Sequence, residues 1–275
     1  MTLFTAILIF IFGSTIGSFI SVLIYRIHEK KKGIIFSKSI CPSCNKEIKW
    51  RHLIPIFSWL LLRGKCAYCG KKFSIHYMLL ELITGTIFVL TFLKWNFIQT
   101  SASIVDPNLY NFAIDWNIFE VFIFYLIEFT LLIGIFFYDL KYKLIPDRFS
   151  LPAIGIGIAG ALIFGFPELY SMIIGAVIIF GFFYLQFVLS KGTWIGGGDL
   201  RLGVVMGILL GWELGLAALI ISYIIGSIIS LGLLATKKAT RKTKIPFGPF
   251  MVTGILITIF YGQQILDWYF SILSF

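Results

Sequence analysis

Long stretches without a charged residue dominate the pattern of hydrophobic and polar positions along this chain. The clearest are residues 1–25, 149–167, 169–190 and 245–266. Each can cross a hydrocarbon core of about 30 Å, which takes about 20 helical residues. None shows the period-two alternation that a membrane β-barrel requires. The pattern therefore predicts an all-α polytopic membrane protein and excludes soluble, secreted and disordered classes.

The same pattern predicts about eight transmembrane helices, with both chain termini on the outer side. A polar loop, residues 26–75, separates the first two helices, and a second polar segment, residues 96–115, precedes the third. Six of the predicted spans cover about residues 3–25, 77–93, 118–138, 149–166, 169–190 and 247–265.

The remaining two spans come from residues 202–236. As a single helix, these 35 residues would be about 52 Å long and would bury Glu213 near their middle. Both flanks carry basic residues, which requires an even number of crossings. We therefore expect a helical hairpin that turns at Gly211, Trp212 and Glu213 and leaves Glu213 at the outer surface.

The charge distribution indicates how the chain is oriented. The chain is 59% hydrophobic and 13% charged, with a mean hydropathy of +0.94, and it has 23 Lys and Arg against 13 Asp and Glu. Twelve of the basic residues lie between Arg26 and Lys72, and five lie between Lys237 and Lys244. Clustering in alternate loops follows the positive-inside rule, so these loops are predicted to be cytoplasmic. The positive net charge then reflects orientation in a lipid bilayer and does not indicate nucleic-acid binding.

Residues 1–25 lack the basic start and cleavage site of a signal peptide, so we expect a retained first span.

All four cysteines lie in the first predicted cytoplasmic loop, in two CxxC pairs. Cys41 and Cys44 form the first pair, Cys66 and Cys69 form the second, and 21 residues lie between the pairs. Two such knuckles are typical of a structural zinc site with four thiolate ligands. Disulfides are the alternative, and a reducing cytoplasm disfavours them. We expect a zinc ion that organises the loop and takes no part in catalysis.

Two aspartates stand at the predicted cytoplasmic ends of spans. Asp139 closes the third span, and Asp199 opens the sixth directly after Gly196, Gly197 and Gly198. A carboxylate at membrane depth is energetically costly, which indicates a functional role. Three successive glycines allow a positive φ and let another backbone approach closely.

Paired carboxyl groups suit aspartic proteolysis. Two carboxyl groups about 3 Å apart share one proton, so one can act as a base on water while the other protonates the scissile carbonyl. Other interpretations stay open here: either aspartate could cap a helix or pair with Lys141 or Arg201, or both could carry protons in a transporter. Glu81 and Glu128 also fall within predicted spans, and we expect them to face the helix bundle or an aqueous cavity.

Several blocks, in the same order, resemble the bacterial type IV prepilin peptidase family of membrane aspartic peptidases with a GxGD motif. Residues 17–26, GSFISVLIYR, are similar to the family's GSFLNVVIYR, and residues 77–85 are similar to YPLVELLTG. The other blocks are the two cysteine knuckles with IPIFSWL at 54–60, the aspartate block 139–147, GGGD at 196–199 and IPFGPF at 245–250. Together the blocks span most of the chain.

The resemblance implies a leader peptidase that cleaves type IV prepilins or pseudopilins on the cytoplasmic side of the bacterial cytoplasmic membrane. The usual cut follows Gly and precedes Phe. Asp139 and Asp199 would be the catalytic dyad, and Pro146 with the glycines 196–198 would belong to supporting active-site loops. The family fold has eight spans and a zinc-bearing cytoplasmic loop.

Many members of that family also methylate the new N-terminus from S-adenosylmethionine. The resemblance associates this role with the N-terminal part, where Glu47 and Glu81 are the candidate methylation residues. Ser21, His76 and Met78 replace the Asn, Arg and Pro of the family, and the sequence has no Gly-rich cofactor loop. The implied organisation is an N-terminal region at 1–94, an outer loop at 95–117 and a six-helix peptidase domain at 118–275.

Two other classes of function remain as alternatives. A proton-coupled transporter would favour inverted repeats with broken helices in both halves, and the sequence shows none. A zinc-ribbon membrane adaptor without catalytic activity would leave the three glycines before Asp199 unexplained.

Overall fold

Helices account for most of the chain in the computed structural model, which describes residues 2–30, 39–41, 43–102, 110–238, 240 and 243–273. Within these ranges, seven helices are long and apolar enough to cross a membrane. They are α1 (Thr2–His28), α3 (His76–Lys94), α4 (Trp116–Tyr142), α5 (Asp147–Phe164), α6 (Leu169–Leu189), α7 (Gly197–Ala235) and α8 (Gly248–Leu273), and the short α2 (Phe57–Leu61) lies between α1 and α3. The chain is a multi-pass helical membrane protein.

The chain divides into two compact units, Met1–Gly134 and Ile135–Phe275, with the boundary inside α4. The sequence predicted a different division, into an N-terminal region and a peptidase domain separated by the outer loop 95–117. That functional division stays a prediction. Each unit carries one group of the predicted site residues, so the two units are described separately.

In the N-terminal unit, α1 and α3 pack at very short range. A methyl group added to Gly17 would lie 2.9 Å from the Cα of Glu81, and one added to Gly13 would lie 2.9 Å from the Cα of Gly85. Gly13 and Gly17 have the GxxxG spacing, which allows two membrane helices to approach closely. This contact brings Glu81 to the face of α1.

A short sheet follows α3. Strand β1 (Ile98–Ala102) pairs with β2 (Tyr110–Ile114) in antiparallel register, with Ile98 opposite Ile114. The hydrophobic pattern did not predict this sheet, because the segment is short and polar. Next to it, aromatic side chains form the core, and the ring of Trp95 stacks on Tyr125 with centroids 4.1 Å apart.

The predicted helical hairpin is present in the C-terminal unit. Helix α7 is interrupted at Gly211, whose φ of 72° and ψ of −169° are not helical. A methyl group on Gly215 would lie 3.9 Å from the Cα of Gly207, although the two are eight positions apart and would be about 12 Å apart along one helix. The chain therefore reverses at Gly211. Glu213 is exposed, as predicted.

Both arms of the α7 hairpin pack on α6. A methyl group on Gly203, in the first arm, would lie 3.2 Å from Ile179, and one on Gly215, in the second arm, would lie 2.8 Å from the same side chain. The hairpin divides α7 into two arms, so the described helices supply eight apolar segments. The number of spans predicted from the sequence is confirmed.

Candidate active site and four-cysteine cluster

Asp139 lies one turn before the end of α4. The sequence pattern ends this span at Asp139, but the helix continues to Tyr142, which places the carboxyl group inside the last turn. Asp139 is only 4% exposed. Its Oδ2 accepts a hydrogen bond of 3.0 Å from the backbone N–H of Gly248, the first residue of α8. This bond between distant parts of the chain fixes the direction of the carboxyl group.

Asp199 lies in the first turn of α7. The backbone N–H of Gly196 donates a hydrogen bond of 3.0 Å to Asp199 Oδ2, so the carboxylate also caps its own helix. Such a cap satisfies an N–H that the helix cannot pair. The expected positive φ is wrong for these glycines, since Gly196 has a φ of −83° and Gly197 and Gly198 are helical.

The two carboxyl groups approach each other in the C-terminal unit, close enough to interact electrostatically. Ile145, in the loop between α4 and α5, packs against Gly198, beside Asp199, and against Gly248, whose N–H contacts Asp139. A methyl group on Gly198 would lie 2.7 Å from Ile145 Cβ, and one on Gly248 would lie 3.3 Å from Ile145 Cδ1. The glycine next to Asp199 therefore makes room for the Ile145 side chain, whereas the sequence led us to expect the close approach of another backbone.

The loop between α4 and α5 is tied to its surroundings by polar contacts. The ammonium group of Lys143 donates a hydrogen bond of 2.9 Å to the carbonyl oxygen of Lys244, just before α8. Pro146 is the N-cap residue of α5, and Asp147 begins that helix. Asp147 forms an ion pair with Arg201 of α7. Arg201, a candidate partner for the dyad in the sequence, therefore pairs with Asp147.

The four cysteine thiols come together in the N-terminal unit. Their Sγ atoms all lie within 4.8 Å of one another, and those of Cys41 and Cys69 are 4.0 Å apart. Tetrahedral zinc with Zn–S bonds of about 2.3 Å requires sulfur atoms about 3.8 Å apart. A cluster of this kind could hold a metal ion, and the four soft sulfur donors fit zinc.

The two knuckles have the same backbone construction. Cys41 N–H donates to the carbonyl of Lys46 at 3.0 Å, and Cys66 N–H donates to the carbonyl of Lys71 at 2.9 Å. In each knuckle the residue after the second cysteine has a positive φ, 54° at Asn45 and 69° at Gly70. Each knuckle is also flanked by one antiparallel β-bridge at equivalent positions. Ile40 pairs with Glu47 in the first, and Lys65 pairs with Lys72 in the second.

The thiols differ in acidity. Burial raises the pKa of Cys41, but hydrogen bonds from the backbone of Ser43 and Cys44 and from neighbouring thiols outweigh it and lower the pKa to about 7. A backbone hydrogen bond at Lys71 lowers the pKa of Cys69, whereas loss of solvent and the three neighbouring thiols raise it to about 11. One thiol therefore ionises readily while another keeps its proton.

A cavity of about 560 Å³ lies in the N-terminal unit, and both Glu47 and Glu81 line it. The backbone N–H of Ile56 donates a hydrogen bond of 2.7 Å to Glu81 Oε2. Ile56 has a φ of 63°, which is strained for a β-branched residue, so Glu81 stabilises an unfavourable turn.

Other lining residues of this cavity were missed at the sequence level. The indole Nε1 of Trp59 is buried and has no hydrogen-bond partner among the described residues. Arg26 is 5% exposed and lines the same cavity. Ser18, Ser21 and Tyr25 join it from α1. Their helical spacing, within the block 17–26, was the signal that could have revealed one functional face.

Glu128 lies inside α4 and is fully buried. Neither carboxyl oxygen has a hydrogen-bond partner among the residues that the structure describes. The expectation that Glu128 faces the protein interior is confirmed.

These observations define a class of protein. It is a multi-pass membrane protein with a four-cysteine cluster that could hold a metal ion in one unit and two neighbouring carboxyl groups in the other. Two family models match the chain in the same order. Residues 11–95 match the bacterial peptidase A24 N-terminal domain, and residues 126–231 match the type IV leader peptidase family.

Curated relatives cover nearly the whole chain. A prepilin leader peptidase/N-methyltransferase of Legionella pneumophila is 30% identical over 97% of this chain and 94% of its own length. Proteins with the same description from Bacillus subtilis (strain 168) and Aeromonas salmonicida (strain A449) are 29% and 27% identical, covering 95% and 96% of this chain and 96% and 93% of their own lengths. The chain belongs to the type IV prepilin leader peptidase family and is a peptidase. No solved structure matches it.

Proposed function

We propose that this protein is an aspartic endopeptidase whose catalytic dyad is Asp139 and Asp199. The observation that carries the proposal is the approach of two carboxyl groups from different helices, one of them almost fully buried. Each has one oxygen held by a backbone N–H, from Gly248 and from Gly196. Among the residues that the structure describes, no hydrogen bond is found to the second oxygen of either carboxyl group, which leaves it for a water molecule or a substrate carbonyl.

The reaction would follow from one proton shared by two carboxyl groups. The ionised carboxylate takes a proton from water as the water oxygen attacks the scissile carbonyl carbon, while the protonated carboxyl gives its proton to the carbonyl oxygen. As the tetrahedral intermediate collapses, the carboxylate takes a proton from one of its hydroxyl groups while the protonated carboxyl gives its proton to the leaving amine, and the C–N bond breaks. The dyad returns to its starting protonation state. Pro146 and the glycines 196–198 support this geometry, as caps and as the space for Ile145.

The proposed substrates are prepilin or pseudopilin precursors, cut after Gly and usually before Phe. The basic loops next to both aspartates favour a cytoplasmic active site in the bacterial cytoplasmic membrane. A short basic leader would be retained on that side by the same rule, which would hold the scissile bond at the interface. The zinc cluster would order the loop between α1 and α3.

A second activity, N-methylation of the new N-terminus, is supported by the N-terminal cavity. Its volume of about 560 Å³ falls within the range of about 300–1,000 Å³ typical of small-molecule sites. Two carboxylates, Glu47 and Glu81, suit a cationic ligand, and the unpartnered Nε1 of Trp59 suits a polar one. S-adenosylmethionine would supply an electrophilic methyl group there. One of the carboxylates would accept the proton that the substrate amine loses.

The test is to incubate the purified protein, in detergent or lipid discs, with a prepilin-like precursor and to weigh the products by mass spectrometry. We expect a released leader and a mature chain that begins directly after Gly. Added S-adenosylmethionine should increase the mass of the mature chain by one methyl group. An intact precursor, together with proton uptake by proteoliposomes that contain the protein, would instead favour the transporter alternative.

A further inference from the structure

Tyr223, in the second arm of α7, has a polar partner on α6. Its hydroxyl donates a hydrogen bond of 3.4 Å to Gln186 Oε1. The Gln186 amide is itself oriented, since its Nε2 donates to the carbonyl oxygen of Phe182 over 3.3 Å. The hydroxyl proton of Tyr223 is therefore directed to Gln186, and the lone pairs of its oxygen stay available.

Tyr223 lies at the same level of the hairpin as Asp199. The two residues are twelve positions after and before Gly211, where the chain reverses. Arms of equal length return to the same depth, because both rise by about 1.5 Å per residue. The Tyr223 hydroxyl and the Asp199 carboxyl group are close enough to interact electrostatically.

The ring of Tyr223 also contacts the segment that holds Asp139. Its centroid lies 4.9 Å from that of Phe247, at an interplanar angle of 48°. Phe247 directly precedes Gly248, whose N–H donates to the Asp139 carboxyl group. Movement of Phe247 would therefore displace the backbone N–H that donates to the Asp139 carboxyl group.

We propose that Tyr223 is a positioning residue for the peptidase reaction. Its ring stabilises the Phe247–Gly248 segment that directs Asp139, and its hydroxyl, held by Gln186, supplies a fixed dipole beside Asp199. One side chain thereby acts on both members of the dyad. This inference rests on the proposed function of Asp139 and Asp199.

The first test compares Tyr223→Phe with Tyr184→Phe in the cleavage assay. Tyr223→Phe keeps the ring and removes one oxygen, and we expect kcat to fall by about 10–100-fold with KM within about two-fold of wild type. Tyr184→Phe is the matched control, since Tyr184 lies on α6, is 51% exposed and stacks on Phe180 of the same helix. Its kinetics should match wild type. A merely structural role for Tyr223 would lower the unfolding temperature without this selective loss of kcat.

A second variant makes the test independent of the tyrosine. Gln186→Leu removes the acceptor of the Tyr223 hydroxyl, so it should lower kcat to a similar extent, and the double variant should lose no more than the larger single loss. If the Tyr223→Phe variant does not fold, the kcat of the folded Gln186→Leu variant tests the inference by itself. Wild-type kinetics in either folded variant, or losses that multiply in the double variant, would overturn the inference. A different result would refute the proposed function itself, namely full cleavage activity in the Asp139→Asn or the Asp199→Asn variant.

Discussion

The backbone N–H of Gly248 donates a hydrogen bond of 3.0 Å to the Oδ2 atom of Asp139, although 109 positions separate the two residues in the chain. A methyl group on Gly248 would lie 2.6 Å from the same oxygen. The first residue of α8 therefore both orients the carboxyl group and leaves it the space it occupies. A side chain at position 248 would therefore displace the Asp139 carboxyl group of the proposed dyad.

We expect Gly248→Ala to lower the cleavage rate by about 100-fold, because a displacement of about 1 Å can cost that much in an aligned active site. Gly232→Ala is the control, since a methyl group there meets nothing within 4 Å. Cleavage kinetics and unfolding temperature should be measured for both. Equal activity of the two folded variants would show that the Gly248 contact does not direct the reaction.

Asp139→Asn and Asp199→Asn should each reduce cleavage by about 10²–10⁴-fold, the contribution of a well-placed acid–base group, because an amide can neither take nor return the shared proton. Asp147→Asn is the internal control. Its ion pair with Arg201 is partly exposed, and such pairs contribute about 0–1 kcal/mol to stability. Mass spectrometry of the products measures all three, and full activity in either dyad variant would refute the assignment.

The cysteine cluster should bind one zinc ion per chain. Substituting Cys41 and Cys66 with Ser, one cysteine from each knuckle, should remove the metal and destabilise the loop, because structural zinc contributes folding free energy. Ser43→Ala, inside the first knuckle, should keep the metal. Elemental analysis of protein purified without chelator measures the content. Methylation should suffer more than cleavage, since the dyad lies in the other unit.

Zinc binding should depend on pH in one direction. Thiolates bind the ion, and the thiol with a pKa of about 11, Cys69, is protonated at neutral pH, whereas Cys41, with a pKa of about 7, is partly ionised. Loading at neutral pH must therefore release protons, and affinity must fall as the pH decreases. Competition with a chromophoric chelator between about pH 6 and 8 measures this. An affinity that stays constant over that range would contradict thiolate ligation.

Glu47→Gln and Glu81→Gln should abolish or strongly reduce methylation while leaving cleavage intact. Glutamine keeps an oxygen that can accept the Ile56 N–H at position 81, so the turn is preserved and the charge is lost. Glu120→Gln, an exposed position on α4, is the matched control. The methylated fraction of the mature product is the readout. Normal methylation in both test variants would exclude the cavity carboxylates from this activity.

The hairpin turn should depend on glycine at position 211. Gly211→Ala places a side chain in a backbone conformation that only glycine adopts easily, and its methyl group would collide with Ser171. We expect a loss of about 1–3 kcal/mol in the free energy of unfolding. Gly181→Ala, on α6 with open space around it, should be neutral or gain up to about 1 kcal/mol. Denaturant unfolding in detergent compares the two, and equal stabilities would argue against the turn.

The sequence alone determined the helical class, the eight apolar segments, the reversal at Gly211 and the cysteine pairs. These features are local, because a span is set by about 20 consecutive apolar residues and a knuckle by the spacing of two cysteines. Membrane helices must also satisfy their backbone hydrogen bonds internally, which leaves few alternatives. The short sheet of β1 and β2 escaped prediction, since five-residue strands leave a weak pattern in a polar segment.

Only the tertiary structure decided which polar groups meet. Gly248 with Asp139, Ile56 with Glu81, and Tyr223 with Gln186 are pairs of residues that are distant in the chain. No periodicity within one helix specifies such a pair, because it depends on how the faces of different helices pack. The same reason explains the glycines before Asp199. The sequence predicted an unusual φ and the close approach of another backbone there, whereas Gly198 instead makes room for the Ile145 side chain.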